Sequence, residues 1–119
     1  NKASMEVVFR HKIESYMQSA ELYAKALKAD DADEMFSRAL REANELEKQK
    51  VKLTKKNVYF SIAKELEKKM KRSAAAKFYE KLVAMNLDEL EKKEVKEKLM
   101  ILYKSLGMFR EIKLLEGIK

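Results

Sequence analysis

Across 119 residues the chain has no proline and only two glycines, Gly107 and Gly117. A sheet protein places such residues at its hairpin turns, so a chain this poor in breakers is not built from strands. A sequence rich in Ala, Leu, Lys and Glu is built from helices.

The apolar spacing carries this from one helix to the next. Phe9, Ile13, Tyr16, Ala20, Tyr23 and Leu27 follow at steps of three and four, a single helical stripe that Met17 and Ala24 widen. Asp31 with Glu34 has the spacing of a helix N-terminus. Ala32, Met35, Phe36, Ala39, Ala43 and Leu46 then form a second stripe, fading into the lysine-rich Lys48 to Lys56. A boundary is expected near Leu53 and Thr54. Tyr59, Ile62, Ala63, Leu66 and Met70 make a third helix, and Ala75, Phe78, Tyr79 and Leu82 a fourth, with Ser73 expected as its cap. Asp88 with Glu91 opens a fifth, carried by Val95, Leu99, Leu102, Tyr103 and Leu106, and Gly107 suits the left-handed position past its end. Phe109, Ile112 and Leu115 give a short sixth, closed by Gly117. The prediction is an all-α fold of five to six antiparallel helices in one domain over residues 1–119. The hairpins are expected at about 5–50, 54–86 and 88–117.

With 46% hydrophobic residues to supply a core, the 39% charged fraction reads as a solvated exterior. The absence of Cys excludes disulfides, thiolate metal sites and Cys nucleophiles, and fits a reducing compartment. No apolar stretch reaches the roughly 20 residues that span a bilayer, and no signal-peptide core is present, so a cytoplasmic location is expected. The chain opens at Asn1, and Met5 offers a start, so residues 1–4 read as a remnant ahead of it or the chain as a cut fragment.

The net charge of +7 is local. Residues 1–50 carry nine basic and ten acidic groups, residues 51–86 ten and three, and residues 87–119 eight and seven. The whole excess lies between Val51 and Asn86.

The hairpins also resemble one another. An offset of 43 carries Tyr16 to Tyr59, Ala20 to Ala63, Ala32 to Ala75 and Phe36 to Tyr79. A further 37 carries Leu66 to Tyr103, Met70 to Gly107 and Ala75 to Ile112. With Tyr59, Ile62, Ala63, Leu66, Ala75, Tyr79 and Leu82 in one hairpin and Leu99, Tyr103, Gly107, Phe109 and Ile112 in the next, the alternation of small and large apolar residues resembles the tetratricopeptide repeat family. The resemblance covers most of residues 13–118. It departs from the family in having no Trp, no terminal Pro and periods longer than about 34 residues. A plain helical bundle would use Ala20, Ala63 and Ala75 in the same way, at close helix crossings.

The resemblance implies stacked hairpins in a right-handed superhelix whose first helices line a concave groove for a protein or peptide. Carried over residue by residue, the groove places are Met17, Glu21, Ala24 and Lys25, then Asn57, Phe60, Lys64, Glu67 and Lys68. Glu97, Ile101, Lys104 and Ser105 complete them. Phe60 and Ile101 stand out, being large and apolar yet off the inward stripes. With Lys64, Lys68 and Lys104 beside them, the expected partner is an acidic or amphipathic segment. The Asn and Lys arrangement with which some family members clamp a terminal carboxylate does not recur.

Catalytic constellations are absent from the sequence. His11 is the single histidine and sits between Arg10 and Lys12, a surface setting with no orienting partner in view. The cluster Asp30, Asp31, Asp33 and Glu34 lacks the Gly and terminal Glu of a calcium loop and reads as helix capping. No Gly-rich loop is available for phosphates. No enzyme, cofactor or metal is expected. Met35, Met70 and Met100 fall on apolar stripes and read as core filler, while Met17 reads as exposed.

A rival reading takes the basic patch of Lys68, Lys69, Lys71 and Arg72 as a nonspecific nucleic-acid contact. Against it, Arg72 is the only arginine between residues 51 and 86, and Lys meets phosphate as a point charge without reading base edges. The blandest reading is a stable helical domain of a larger protein, with lysines for solubility and homo-oligomer formation left open.

Overall fold

Helix ends follow local chemistry throughout the computed structural model, which describes the backbone of residues 2–117 and the side chains of residues 12–117. Six α-helices and no strand occur among the described residues: α1 (Lys2–Lys25), α2 (Ala29–Glu42), α3 (Glu45–Lys68), α4 (Arg72–Val83), α5 (Glu89–Leu106) and α6 (Phe109–Glu116). The chain is all-α, as the scarcity of breakers requires. Met5, Phe9 and His11 lie outside the described side chains.

The three turns within hairpins are one structure used three times. In each, a residue of positive φ follows the helix: Leu27 (63°), Met70 (60°) and Gly107 (69°). The amide after it bonds back five residues, Lys28 N to Tyr23 O, Lys71 N to Leu66 O and Met108 N to Tyr103 O, each at 2.9 Å. The positive-φ residue itself bonds back three, to Ala24, Glu67 and Lys104. These are Schellman turns, which close the orphan carbonyls of a helix end. They recur at the sequence offsets of 43 and 37 noted above. The residues opening α2, α4 and α6 also share one backbone conformation, Lys28 (φ −99°, ψ 71°), Lys71 (−87°, 72°) and Met108 (−90°, 69°).

The junctions between hairpins use a different device. Asn44 Oδ1 accepts from Glu47 N at 2.8 Å while Asn44 N donates to Glu47 Oε1 at 3.0 Å. Asp88 and Glu91 repeat the exchange at 2.8 and 3.2 Å, the start expected there. Both are reciprocal capping boxes, at the entrances of α3 and α5.

Three local expectations are corrected. The boundary near Leu53 and Thr54, and with it the division at 50/54 between the first two hairpins, moves to Ala43 and Asn44, because the Asn44 capping box starts α3 at Glu45. Leu46, placed on the second stripe, therefore belongs to α3 and is 85% exposed. Neither Asp31 nor Ser73 is a cap. Lys28 and Lys71 hold those positions without side-chain bonds, since the Schellman turn leads straight into the next helix. Asp30 and Asp31 instead lie in the first turn of α2, where negative charge meets the positive helix end.

The chain divides into two compact units, residues 1–58 and 59–119, with α3 contributing its first part to one and its last part to the other. In the first unit, α1 and α2 are antiparallel and closely packed. Ala20 and Ala24 on α1 and Ala29, Ala32 and Ala39 on α2 are buried around Phe36, and methyl-sized side chains allow the axes to approach. Lys12 reaches Glu42 at 3.2 Å, and Lys55 on α3 reaches Asp33 at 3.5 Å. With the junction at Ala43 and Asn44, the Lys55–Asp33 pair shows that α3 runs back along α2, antiparallel to it and hence parallel to α1.

In the second unit the larger side chains do the packing. Tyr59, Leu66, Phe78, Tyr79, Leu82, Val95, Leu99 and Tyr103 are buried, with small Ala63, Ala75 and Ala76 between them. The Tyr59 ring meets Phe78 edge-on, centroids 5.4 Å apart at 75°. Leu115 anchors α6. Met70, expected in the core, is 63% exposed because the left-handed turn swings it off the α3 stripe. Phe109 is 69% exposed at the opening residue of α6, leaving the short sixth stripe to Leu115 and half-buried Ile112.

Candidate functional site: a cleft between α1 and α3

Within the first unit, α1 and the first half of α3 leave a cleft of about 500 Å³ between them. From α1 it is lined by Ile13, Glu14, Met17, Gln18 and Glu21, and from α3 by Glu47, Lys50, Val51 and Thr54. The spacing follows from the helix repeat. Positions 13, 17 and 21 lie on one face of α1, and 47, 50, 51 and 54 on one face of α3. Ile13 and Val51 are buried at the floor, and Met17 is half-buried beside them. Glu14 and Glu21 are exposed and Glu47 half-buried at the rim, with the Lys50 ammonium the one cationic lining group among the described residues.

Two of the groove residues expected from sequence, Met17 and Glu21, meet here. Lys25 stands one turn on and pairs with Glu21 at 3.7 Å. Ala24 does not line the groove: it is fully buried in the α1–α2 packing, because its place falls on the face that meets α2. Asn57 is exposed on α3 and is not among the lining residues.

The remaining expected residues lie in the second unit. Phe60 is half-buried, with the Lys64 ammonium 5.4 Å from its ring centre, a cation–π contact. Lys64, Glu67, Lys68 and Lys98 line a shallow groove between α3 and α5 of about 410 Å³. Its charges are largely matched already: Lys64 lies 3.5 Å from Glu94, and Lys98 3.4 Å from Glu67. Ile101 on α5 is 65% exposed, and Lys104 is exposed in the last turn of that helix. Of the basic patch, Lys68, Lys69, Lys71 and Arg72 are all exposed around the α3–α4 turn, and Lys69 pairs with Glu65 at 3.7 Å.

Two of the three buried phenols of the second unit bond to carboxylates. Tyr79 donates to Glu67, and Tyr103 donates to Glu80 at 2.8 Å. Burial, reinforced by these carboxylate partners, pushes both phenols well above their ordinary range, so they remain neutral donors. Among the described residues no group of three or more His, Asp or Glu side chains is placed to hold a metal ion. Glu34 of the acidic cluster instead pairs with Arg38 at 3.2 Å and Arg41 at 3.3 Å. No described helix is long and apolar enough to cross a membrane.

Neither a family model, a curated protein nor a solved structure matches this chain.

The α3 half of the cleft is not legible in the apolar spacing of the sequence. Glu47, Lys50, Val51 and Thr54 fall in the stretch read as the fading end of the second helix. The signal that could have placed them is the pair Asn44 and Glu47, an acceptor followed three residues later by an acid, the same pattern recognised at Asp88 and Glu91.

Proposed function

We propose that this chain is a non-catalytic protein-interaction module, a tetratricopeptide-like array of helical hairpins acting as a cytoplasmic adaptor. It holds an amphipathic segment of a partner protein in the cleft between α1 and α3. The observation that carries the reading is the cleft itself, whose floor of Ile13, Met17 and Val51 is apolar while its rim is charged. A groove of this make-up suits the apolar face of a helix or peptide, and a thioether at its centre adapts to varied side chains. The recurrence of one turn geometry at Leu27, Met70 and Gly107 supports the repeat character. No reaction, cofactor or metal enters the proposal.

The test is a titration of the chain with a panel of dye-labelled amphipathic helical peptides, read by fluorescence anisotropy. Binding that Met17→Lys removes, with helical circular dichroism and melting retained, supports the module. A panel without a binder, or binding that Met17→Lys leaves unchanged, rejects it.

A second reading is favoured by one observation, the exposure of Lys68, Lys69, Lys71 and Arg72 together around a single turn. In this reading the turn makes nonspecific, salt-sensitive contacts to nucleic-acid phosphates. Unchanged mobility of a generic duplex at about 50 mM salt, where such contacts are strongest, rejects it.

A further inference from the structure

Among the described residues lining the cleft, the charge is opposite in sign to that of the whole chain. Against a net +7, three carboxylates, Glu14, Glu21 and Glu47, border the cleft beside the ammonium of Lys50, the single cation among the described lining residues. A basic ligand is repelled by the chain as a whole only at long range. At physiological salt the Debye length is about 8 Å, so the groups lining the cleft decide what enters it. We infer that the cleft takes a basic amphipathic helical segment, its apolar face on Met17 and Val51 and its lysines or arginines against Glu14, Glu21 and Glu47. This deepens, and rests on, the docking reading above.

Three features of the site support this occupant. The first is length. The lining runs from Ile13 to Glu21 on α1 and from Glu47 to Thr54 on α3. At 1.5 Å per residue these faces extend about 12 Å and 10 Å, the span of two helical turns. A segment with apolar residues at i, i+3, i+4 and i+7 covers that distance.

The second is the availability of the carboxylates. The Glu21–Lys25 pair is long, 3.7 Å, and both partners are exposed, so an incoming cation displaces Lys25 at little cost. Glu47 holds the Asn44 amide through Oε1, and a carboxylate accepts at both oxygens. The third is contrast. The shallow groove of the second unit lacks an apolar floor among its lining residues, and two of its three cations, Lys64 and Lys98, are already matched by Glu94 and Glu67.

The experiment uses the full chain and two dye-labelled synthetic peptides with the same leucines at i, i+3, i+4 and i+7. One carries lysine at the flanking positions and its twin carries glutamate. Only binding that Met17→Lys weakens is assigned to the cleft, which removes contacts made elsewhere on the lysine-rich surface. The lysine peptide is expected to bind at least about tenfold more tightly than its twin and to weaken as salt is raised. The exposed-site variant carrying Glu14→Lys and Glu21→Lys together is expected to reverse the order. A glutamate peptide that binds the cleft as tightly or more tightly overturns the inference and leaves the docking reading standing. No cleft binding of either peptide overturns both. Sedimentation of the chain alone adds a further arm: a dimer abolished by Met17→Lys assigns the cleft to a second copy and overturns the basic-segment inference.

Discussion

The Tyr79 hydroxyl on α4 donates to one oxygen of Glu67 on α3, and the other oxygen of that carboxylate meets the Lys98 ammonium on α5 at 3.4 Å. One side chain thus joins three helices of the second unit. Tyr79→Phe removes the donor while keeping the buried ring, and is expected to lower stability by about 1.5 kcal/mol, the contribution of a hydrogen bond to a charged group. Chemical denaturation of the two proteins checks this.

The same bond sets an alkaline limit. Burial first, then the Glu67 bond and the charges of Glu67 and Glu94, hold the Tyr79 phenol neutral far above its ordinary range, and Tyr103 behaves likewise beside Glu80. A phenol whose ionisation is raised in the folded state contributes stability that is fully present below the unfolded value. That contribution is lost as the unfolded chain ionises above pH about 10. Stability should therefore fall between pH 10 and pH 12, as approximate bounds, and fall less steeply in Tyr79→Phe. A pH series of denaturation midpoints decides the point, and equal slopes would refute it.

Two of the three hairpin turns place a side-chain-bearing residue where glycine is at ease. Met70 has φ of 60° and is mostly exposed, so Met70→Gly relieves left-handed strain and gives up little packing. Offset by glycine's greater freedom in the unfolded chain, the gain is expected to be about 0.5 to 1 kcal/mol. Gly107→Ala is the converse. An added Cβ meets nothing within 4 Å, so its cost is backbone strain alone, about 1 kcal/mol. Melting temperatures that move in the same direction for both variants would contradict this account.

The capping boxes can be compared directly. Asn44→Ala and Asp88→Ala each remove the acceptor for the amide three residues on, and each is expected to cost about 1 kcal/mol. Amide hydrogen exchange should show the loss at the start of α3 for the first variant and at the start of α5 for the second. Protection unchanged at Glu47 in Asn44→Ala would show that the box does not hold that end.

Phe60 and Ile101 separate surface from core. Ile101 is largely exposed, so Ile101→Ala should change stability by less than about 0.5 kcal/mol. Phe60 is half-buried under Lys64, and Phe60→Ala should cost about 1 to 2 kcal/mol through lost burial and the lost cation–π contact. Thermal melts of both variants give the comparison. A collapse of the Ile101→Ala fold would place that side chain in a core.

The sequence alone determined the all-α class, the buried Val95, Leu99, Leu102 and Tyr103 of the α5 stripe, the start at Asp88 and the stop at Gly107, whereas Tyr23 and Leu27 of the first stripe are exposed. Each of these depends on residues within a turn or two of one another, through helical spacing, a side chain capping a nearby amide, or a glycine free to turn left-handed. It did not determine that α3 begins at Glu45, because lysines between residues 48 and 56 dilute the apolar stripe and hide the Asn44 box that starts the helix. Nor did it show that Leu27 and Met70 adopt a conformation most sequences leave to glycine, in turns closed by the bonds of the Lys28 and Lys71 amides back to Tyr23 and Leu66. The cleft was least legible of all. Met17 and Glu21 stand among the groove places that the sequence suggests, but Val51 and Glu47 join them only through the antiparallel return of α2, which lays α3 alongside α1. The acidic rim of a basic protein is thus a property of that return. Only the tertiary structure decides it, because charge counted along a chain says nothing about which charges share one face of a cleft.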